Sequence, residues 1–154
     1  MESNLPSALS PGPMCPMNCA VEELGSRAAL VLLRQAFYGD RRFDAFVQHT
    51  GLSEATAAKR LRELVKLGVL RKVPYREAGD RERYEYELTA EGEELFPVIL
   101  AFFTWGREHL ARAATGLRLV GPDGEPVRVV IQAANGQILA PGDVGIEIDD
   151  VAEG

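Results

Sequence analysis

The side chains with the clearest chemical potential in this sequence are cations and hydroxyls that can hold a polyanion. Arginine and lysine bind phosphate oxygens, and they also hydrogen-bond to base edges, as serine and threonine do. We predict that these side chains form a surface for double-stranded DNA. The candidate DNA-binding residues are Arg41, Arg42, Ser53, Thr56, Lys59, Arg60, Arg76, Arg81 and Arg83. The alternative is that they form ordinary solvated faces, which the same residue types also produce.

Side chains in a pattern suited to catalysis are absent from the sequence. It contains no glycine-rich phosphate loop, and no predicted element carries paired carboxylates or a His–Cys pair. The two histidines are His49, in a predicted turn, and His109, near the end of a predicted helix. We therefore expect a binding protein without a cofactor rather than an enzyme.

Charge is distributed unevenly along the chain. The formal net charge is −6, which by itself argues against a nucleic-acid partner. Residues 27–83 nevertheless hold 13 Lys and Arg against 7 Asp and Glu, a balance of +6, whereas the remainder carries −12. Phosphate binding depends on the field within about a Debye length, roughly 8–10 Å at physiological salt. The local positive charge therefore supports DNA binding.

Four of the candidate residues belong to one predicted helix, which begins at Ser53. Serine is a good N-cap, and Ala57, Leu61 and Leu64 recur at helical spacing as a buried stripe. Gly68 ends the pattern. The polar side chains between the apolar ones are expected to be exposed, and those in the N-terminal half are expected to enter a DNA groove.

A short helix before this one and a hairpin after it complete the predicted unit. Asp40 is expected to cap the short helix. Residues 69–73 and 83–88 are β-type runs. In the second, an apolar face that includes Tyr84 alternates with a charged face, so we expect the apolar face to be buried and the charged face exposed. A short helix, a turn, a longer helix and a hairpin are typical of a winged helix-turn-helix. The predicted fold class is therefore α+β, mainly α.

Two helices are predicted upstream of this unit. Cys15 and Pro16 open the first, with proline at the favoured first position, and it ends at Leu24. Ser26 is expected to cap the second, residues 27–38. Cys15 thus precedes a helix N-terminus, where the dipole favours a thiolate, and it is a redox-sensing candidate. The alternative is a small buried residue at a helix start.

One long helix is predicted after the hairpin, capped by Thr89 and apolar nearly all round from Leu95 to Trp105. So broad an apolar surface outside a small core requires cover from another subunit. We therefore predict a homodimer through this long C-terminal dimerisation helix. Its interface residues would be Phe96, Ile99, Leu100, Phe102, Phe103 and Trp105.

The tail of the chain changes character after the long helix. Its turn signals are separated by β-type runs such as 127–133 and 144–148, and they are Pro122-Asp123-Gly124, Asn135-Gly136 and Pro141-Gly142-Asp143. We predict a small β-hairpin tail module of two hairpins that packs on the long helix. The predicted domains are a disordered N-terminal arm (1–14), a winged-helix and dimerisation domain (15–115) and the β module (116–154).

Targeting signals are not evident in the sequence. No apolar run approaches the roughly 18–20 residues that span a bilayer, and the N-terminal segment MESNLPSALSPGPM lacks the basic and apolar regions of a signal peptide. The expected location is cytoplasmic, where the two cysteines would be reduced.

The motifs together resemble the HxlR branch of the MarR-like bacterial transcription regulators. The resemblance covers residues 15–109. Its motifs include Cys15-Pro16, LLR at 32–34, Arg41-Arg42-Phe43, RLREL at 60–64, EYELTAEG at 85–92 and Trp105-Gly106. It implies homodimeric winged-helix repressors or activators that bind palindromic operators near the genes they regulate.

The resemblance also bears on regulation. In some relatives the cysteine at the position of Cys15 senses oxidants or electrophiles. Ala28 stands where the family usually has a tryptophan, which leaves space for a small-molecule effector. A redox-responsive or ligand-responsive regulator is therefore expected, although an ordinary interface would explain the same apolar residues.

The tail resembles a small zinc-ribbon-like module found on some family members. The scaffold positions match at Gly136, Leu139 and Pro141, but Gln132 and Asn135 stand where that module has cysteine ligands. Zinc requires about four ligands, and the tail contains neither cysteine nor histidine, so we predict that it holds no metal. The alternative function of the chain is a protein-interaction module that uses this acidic tail and binds DNA weakly or not at all.

Overall fold

The computed structural model describes residues 15–76, 78–79, 81–110 and 116–145. The predicted N-terminal arm and the predicted domain boundary at residue 115 lie outside these residues. The chain forms two compact units, and their boundary falls inside a helix: the first unit ends at Ile99 and the second begins at Leu100. Within the described ranges, no helix has the length and apolar character required to cross a membrane.

The elements follow the predicted order. They are α1 (Pro16–Leu24), α2 (Arg27–Phe37), α3 (Phe43–Thr50), α4 (Glu54–Lys66), β1 (Leu70–Tyr75), β2 (Arg83–Leu88), α5 (Ala90–Glu93), α6 (Phe96–His109), β3 (Ile131–Gln132) and β4 (Ile138–Leu139). Strands β1 and β2 pair antiparallel from Leu70↔Leu88 to Tyr75↔Arg83. Helices α3 and α4 with this hairpin form a winged helix-turn-helix, which confirms the predicted fold class.

The predicted caps of α2 and α4 are confirmed. The Ser26 hydroxyl accepts a hydrogen bond from the Ala29 amide at 3.1 Å, and the Ser53 hydroxyl accepts one from the Thr56 amide at 3.2 Å. Gly68 follows α4 at φ +85°, a left-handed conformation that glycine adopts without steric cost. These local hydrogen bonds fix where α4 begins, and the glycine fixes how the chain leaves it.

A small core holds α4 against the rest of the first unit. Its largest fully buried side chains are Phe46, Leu32, Leu33, Leu61, Leu64 and Leu70. The Tyr86 ring on β2 meets the Phe46 ring edge-on, with 6.1 Å between centroids. Because α2, α3, α4 and the hairpin all contribute, the orientation of α4 relative to the wing is fixed by packing.

The predicted role of Asp40 as a helix cap is wrong, because Arg42 occupies the N-cap position of α3. The chain at residues 41–42 pairs with β2: the Tyr86 amide donates to the Arg41 carbonyl at 2.8 Å, and Arg42 bridges Glu85. This extended pairing delays the helix start and places Asp40 too far upstream to cap it. Its carboxylate instead accepts a hydrogen bond from the Gln35 amide group at 2.9 Å.

The prediction that Tyr84 is buried is also wrong. Tyr84 is 50% exposed, whereas Tyr86, two residues along the same face, is 8% exposed. Tyr84 pairs with Pro74 towards the wing tip, where the hairpin extends past the core helices. The Lys72 ammonium group lies over its ring, 5.6 Å from the centroid. The alternation of apolar and charged residues along a strand therefore predicts which face of the hairpin a side chain lies on, but not how deeply it is buried.

The single long helix predicted after the hairpin is interrupted. Thr89 caps α5 as predicted, but α5 ends at Glu93 and α6 begins at Phe96. Pro97 is the second residue of α6, so its missing amide hydrogen costs nothing there. Within a continuous helix, its ring would collide with the Glu93 carbonyl four residues earlier. The interruption between α5 and α6 therefore lies just before Pro97, where the proline ring prevents a continuous helix.

The second unit comprises the remainder of α6 and part of the tail. Strands β3 and β4 form one antiparallel hairpin around the predicted Asn135-Gly136 turn, and Gly136 has φ +89°. The first predicted hairpin is reduced to a single bridge, Val120↔Pro126. Of the run 127–133, which was predicted to be β, only Ile131–Gln132 forms a strand. Residues 146–148 of the last predicted run lie outside the described chain.

Candidate nucleic-acid interface

The exposed face of α4 is the centre of the candidate interface. Lys59, Arg62 and Lys66 are all exposed and recur at helical spacing, on the side away from the buried Ala57 and Leu61. Lys59 was predicted from the sequence, whereas Arg62 and Lys66 were missed. Their spacing of three and seven residues from Lys59 is the signal that identifies them. The face offers three cations to a polyanion.

Hydroxyl groups lie at the N-terminal end of α4. Ser53 and Thr56 are both exposed, and the Ser53 hydroxyl also donates to the Thr56 hydroxyl at 2.9 Å. The amides at a helix N-terminus carry partial positive charge, which favours a phosphate group. This end of α4 can therefore supply both polar contacts to DNA bases and a positive electrostatic field that favours the DNA phosphate backbone.

Arg60 differs from its neighbour Lys59. Its guanidinium group forms an ion pair with Glu63 at 2.8 Å, and its side chain is only a quarter exposed. The two residues are adjacent in sequence and therefore point about 100° apart around the helix. Of the two predicted cations of α4, Lys59 presents the more accessible charge.

The wing carries three of the predicted arginines. Arg76, Arg81 and Arg83 are all exposed around the turn between β1 and β2. Gly79 in this turn has φ +91°, which allows the chain to reverse tightly. The wing tip thus presents cations at the end of a hairpin whose base is anchored in the core.

Carboxylates of β2 hold the arginines at the base of the wing. Glu87 accepts from Arg41 at 2.6 Å and from Arg71 at 2.8 and 3.2 Å. The hydrogen bonds from Arg71, assisted by the nearby Arg41 charge, lower the pKa of the Glu87 carboxyl group. The Arg42 guanidinium lies 4.8 Å from the Tyr75 ring centroid and 3.7 Å from Glu85. Arg41 and Arg42 are therefore oriented side chains, and Arg71 joins them although the sequence analysis missed it.

Comparison with known proteins identifies the family. Residues 23–114, which span most of the first unit and all of α6, match the HxlR-like helix-turn-helix family. The chain belongs to this family. The resemblance drawn from the sequence motifs is thereby confirmed.

Individual relatives agree with this assignment. The chain is 40% identical over 110 residues to the uncharacterized HTH-type transcriptional regulator MT3179 of Mycobacterium tuberculosis, a match that covers 71% of this chain and 63% of that protein. The crystal structure of PA1607, a proposed transcription factor, is 35% identical with a TM-score of 0.76, covering 88% of this chain and 96% of that one. The redox regulator HypR in its oxidized form is 25% identical with a TM-score of 0.56, over 62% of this chain and 97% of HypR.

The predicted dimer residues of this HxlR-like protein fall into three groups by exposure. Phe102 and Trp105 are 62% and 57% exposed, and Val98, which was not predicted, is 47% exposed on the same helix face. Ile99 and Leu100 are instead buried within the chain. The remaining two, Phe96 and Phe103, are half-buried, and Phe96 packs against Phe37. We call Val98, Phe102 and Trp105 the α6 stripe.

Cys15 occupies the N-cap position of α1 and is partly buried. Its carbonyl accepts a hydrogen bond from the Cys19 amide at 3.0 Å, and no disulfide joins the two residues. Cys19 is exposed on the first turn of α1. Ala28, the position where the family usually has tryptophan, is partly buried on α2.

The two tail positions that correspond to zinc ligands stabilise a turn. The Gln132 side chain donates to the Gly136 carbonyl at 3.0 Å, and the Asn135 side chain accepts from the Gln137 amide at 3.0 Å. Across the described part of the chain, no group of three or more His, Cys, Asp or Glu side chains is arranged to hold a metal ion. These hydrogen bonds thus hold the turn between β3 and β4.

Proposed function

We propose that this HxlR-like protein is a sequence-specific transcription regulator that binds a palindromic DNA operator as a homodimer. The observation that carries the proposal is the exposed cationic face of α4 beside a wing with exposed arginines. Helix α4 would enter the major groove with Ser53, Thr56 and Lys59 towards the base edges. The wing arginines, with Arg41 and Arg42, would contact the phosphate backbone.

The α6 stripe supports the dimer. Val98, Phe102 and Trp105 expose a continuous apolar row that one chain leaves uncovered. Met17 and Val21 of α1 are likewise 67% and 51% exposed, one helical turn apart. In a symmetric dimer each exposed patch meets its own copy or the other patch. The two α4 helices should then lie about 34–36 Å apart, one turn of DNA.

The DNA contacts can be tested by alanine substitution. Lys59→Ala is expected to weaken binding to the DNA upstream of the protein's own gene by about tenfold, because one groove contact is lost. Arg60→Ala should also weaken binding, but less, since Glu63 already holds that guanidinium.

Arg81→Ala should lower affinity for all sequences and reduce the slope of log affinity against log salt by about one. Gel shifts at several salt concentrations measure all three.

A matched control comes from the tail. Arg128 is an exposed arginine in the second unit, remote in sequence from the helix-turn-helix, so Arg128→Ala removes the same charge as Arg81→Ala. We expect it to leave operator affinity unchanged. If Lys59→Ala, Arg60→Ala and Arg81→Ala all bind as tightly as the unmodified protein, the α4 and wing surface is not the DNA-binding surface.

We further propose that Cys15 makes DNA binding responsive to oxidants. It is a free, partly exposed thiol at the N-cap position of α1, and HypR is a redox regulator of the same fold. Two Cys15 thiols, one from each subunit, would lose two protons and two electrons to hydrogen peroxide, giving a disulfide and two waters. The bond would draw the α1 helices together and change the spacing of the α4 helices.

Peroxide treatment provides the test. The unmodified protein should form a covalent dimer on a non-reducing gel and change its operator affinity at least severalfold, and both effects should be absent from Cys15→Ser. Cys19→Ser, four residues along the chain, is the control and should respond as the unmodified protein does. An oxidant response that is equally strong in Cys15→Ser would show that Cys15 is not the sensor.

A second candidate function is a protein-interaction module in the tail. Its supporting observation is a set of apolar side chains that are two-fifths or more exposed on the second unit, Val129, Val130, Ile131 and Ile138. The same gel shift separates the two functions. Salt-dependent, sequence-specific binding favours the regulator, and binding that stays weak at low salt favours the interaction module.

A further inference from the structure

The second unit contains a pocket that neither the proposed DNA contacts nor the α6 stripe uses. Its volume is about 280 Å³, and it is bounded by α6 on one side and by residues 118–119 and 126–127 of the tail on the other. The apolar part of its lining comes from Phe103, Leu119 and Val127, each of which is partly buried, and from the exposed Pro126. The pocket therefore offers a small apolar surface enclosed by two segments of the chain.

Two cations border the same pocket, Arg107 on α6 and Arg118 on the tail. Both side chains are exposed, and neither forms an ion pair with another residue in the described part of the second unit. Glu108 also borders the pocket and offsets one of these charges, which leaves the lining net positive. The Thr104 hydroxyl donates to the helix carbonyls of Leu100 and Ala101, so towards the pocket it can act only as an acceptor.

We propose that this pocket binds a small organic carboxylate with an aromatic or branched apolar body. The carboxylate would be held by Arg107 and Arg118, because a guanidinium group pairs with a carboxylate through two parallel hydrogen bonds. The apolar body would contact Phe103, Leu119 and Val127. A neutral ligand would leave the positive charge unused, and an inorganic anion would leave the apolar surface exposed.

The volume limits the size of the ligand. Sites for drug-sized molecules typically measure about 300–1,000 Å³, and this pocket lies just below that range. It therefore fits a single ring with a carboxylate rather than a nucleotide or a peptide. A ligand with so few atoms binds weakly, with a dissociation constant on the order of 1 mM or somewhat lower.

The position of the pocket on α6 is compatible with the proposed dimer. Phe103 and Arg107 are four residues apart and share one face, whereas Phe102 and Trp105 of the α6 stripe lie on the opposite side of the helix by their spacing. An occupied pocket therefore leaves the stripe available to a second copy. Ligand binding requires neither DNA nor a particular operator, so its test is independent of the proposed function.

Benzoate and benzamide are suitable probes for the full chain without DNA. They have nearly the same shape, but only benzoate carries a charge. Isothermal titration calorimetry measures the binding directly. Ionic strength is matched with sodium chloride. Benzoate should bind saturably, and benzamide at least about tenfold more weakly, because the charged hydrogen bonds are lost.

Four variants locate the binding and test its dependence on charge. Arg118→Gln and Arg107→Gln should each weaken benzoate binding about tenfold or more, while Arg128→Gln, another exposed tail arginine that does not border the pocket, should not. Circular dichroism confirms that each variant is folded, and Arg118→Lys, which retains the charge, should keep part of the affinity. The proposal is overturned if benzoate binding does not saturate or if benzamide binds equally well. It is also overturned if Arg118→Gln and Arg128→Gln have the same affinity for benzoate.

Discussion

Replacing Gly92 with alanine is expected to destabilise the folded protein by about 1–3 kcal/mol or more, although alanine is the better helix former. Gly92 is buried in α5, and a methyl group there would overlap the carbonyl oxygen of Val69. That carbonyl cannot move cheaply, because it accepts a hydrogen bond from the Thr89 amide at 3.1 Å. Steric overlap with fixed backbone should outweigh the gain in helix propensity.

Gly106→Ala is the matched control for this substitution. Gly106 lies inside α6, and an added methyl group would meet only the end of the Leu110 side chain, at 4.0 Å. Relief of the glycine entropy cost should stabilise this variant by about 0.5–1 kcal/mol. Urea unfolding followed by circular dichroism measures both. Equal stability of Gly92→Ala and the unmodified protein would mean that α5 does not pack closely on the chain after α4.

Phe102→Glu is expected to abolish the proposed dimer at micromolar concentration. Phe102 is 62% exposed in the single chain, so glutamate should not disturb folding. In a symmetric dimer the substitution acts twice, and each lost phenylalanine contact is worth about 1.5–3 kcal/mol. The dimer dissociation constant should therefore rise by about a thousandfold. Sedimentation should show a monomer, and affinity for a complete palindrome should fall to that for a half-site.

Ile138→Glu provides the comparison for this loss. Ile138 is 58% exposed on the β3–β4 hairpin, so the change in surface and charge is nearly the same as at Phe102. We expect this variant to remain dimeric with unchanged operator affinity. A stable monomer formed by the unmodified protein would contradict the proposed dimer, and a Phe102→Glu protein that remains dimeric would place the interface elsewhere. Monomerisation by Ile138→Glu would implicate the tail.

The proposed dimer and the proposed carboxylate pocket use different sides of α6. In the proposed dimer the stripe would face a second copy, whereas the pocket faces the tail of the same chain, so the tail occupies a helix surface that the stripe does not need. Gln132 and Asn135 hold the turn of the β3–β4 hairpin through their side-chain hydrogen bonds.

Much of the first unit was determined by the sequence alone. The N-caps Ser26, Ser53 and Thr89, the helix end at Gly68 and the strand over 83–88 are all as predicted. Each depends on interactions within a few residues, such as a side-chain hydrogen bond to a nearby amide or a glycine in a left-handed turn. The periodic spacing of apolar residues also predicted which face of α4 is buried, because helical geometry alone sets which side chains share a face.

Only the tertiary structure decided how deeply each side chain lies and which partner it has. Asp40 bonds to Gln35 instead of capping α3, because residues 41–42 pair with β2. Tyr84 is exposed because the wing extends past the core. These outcomes depend on surfaces brought together from distant parts of the chain. Local spacing encodes the direction of a side chain, but what it meets there depends on the packing of the whole unit.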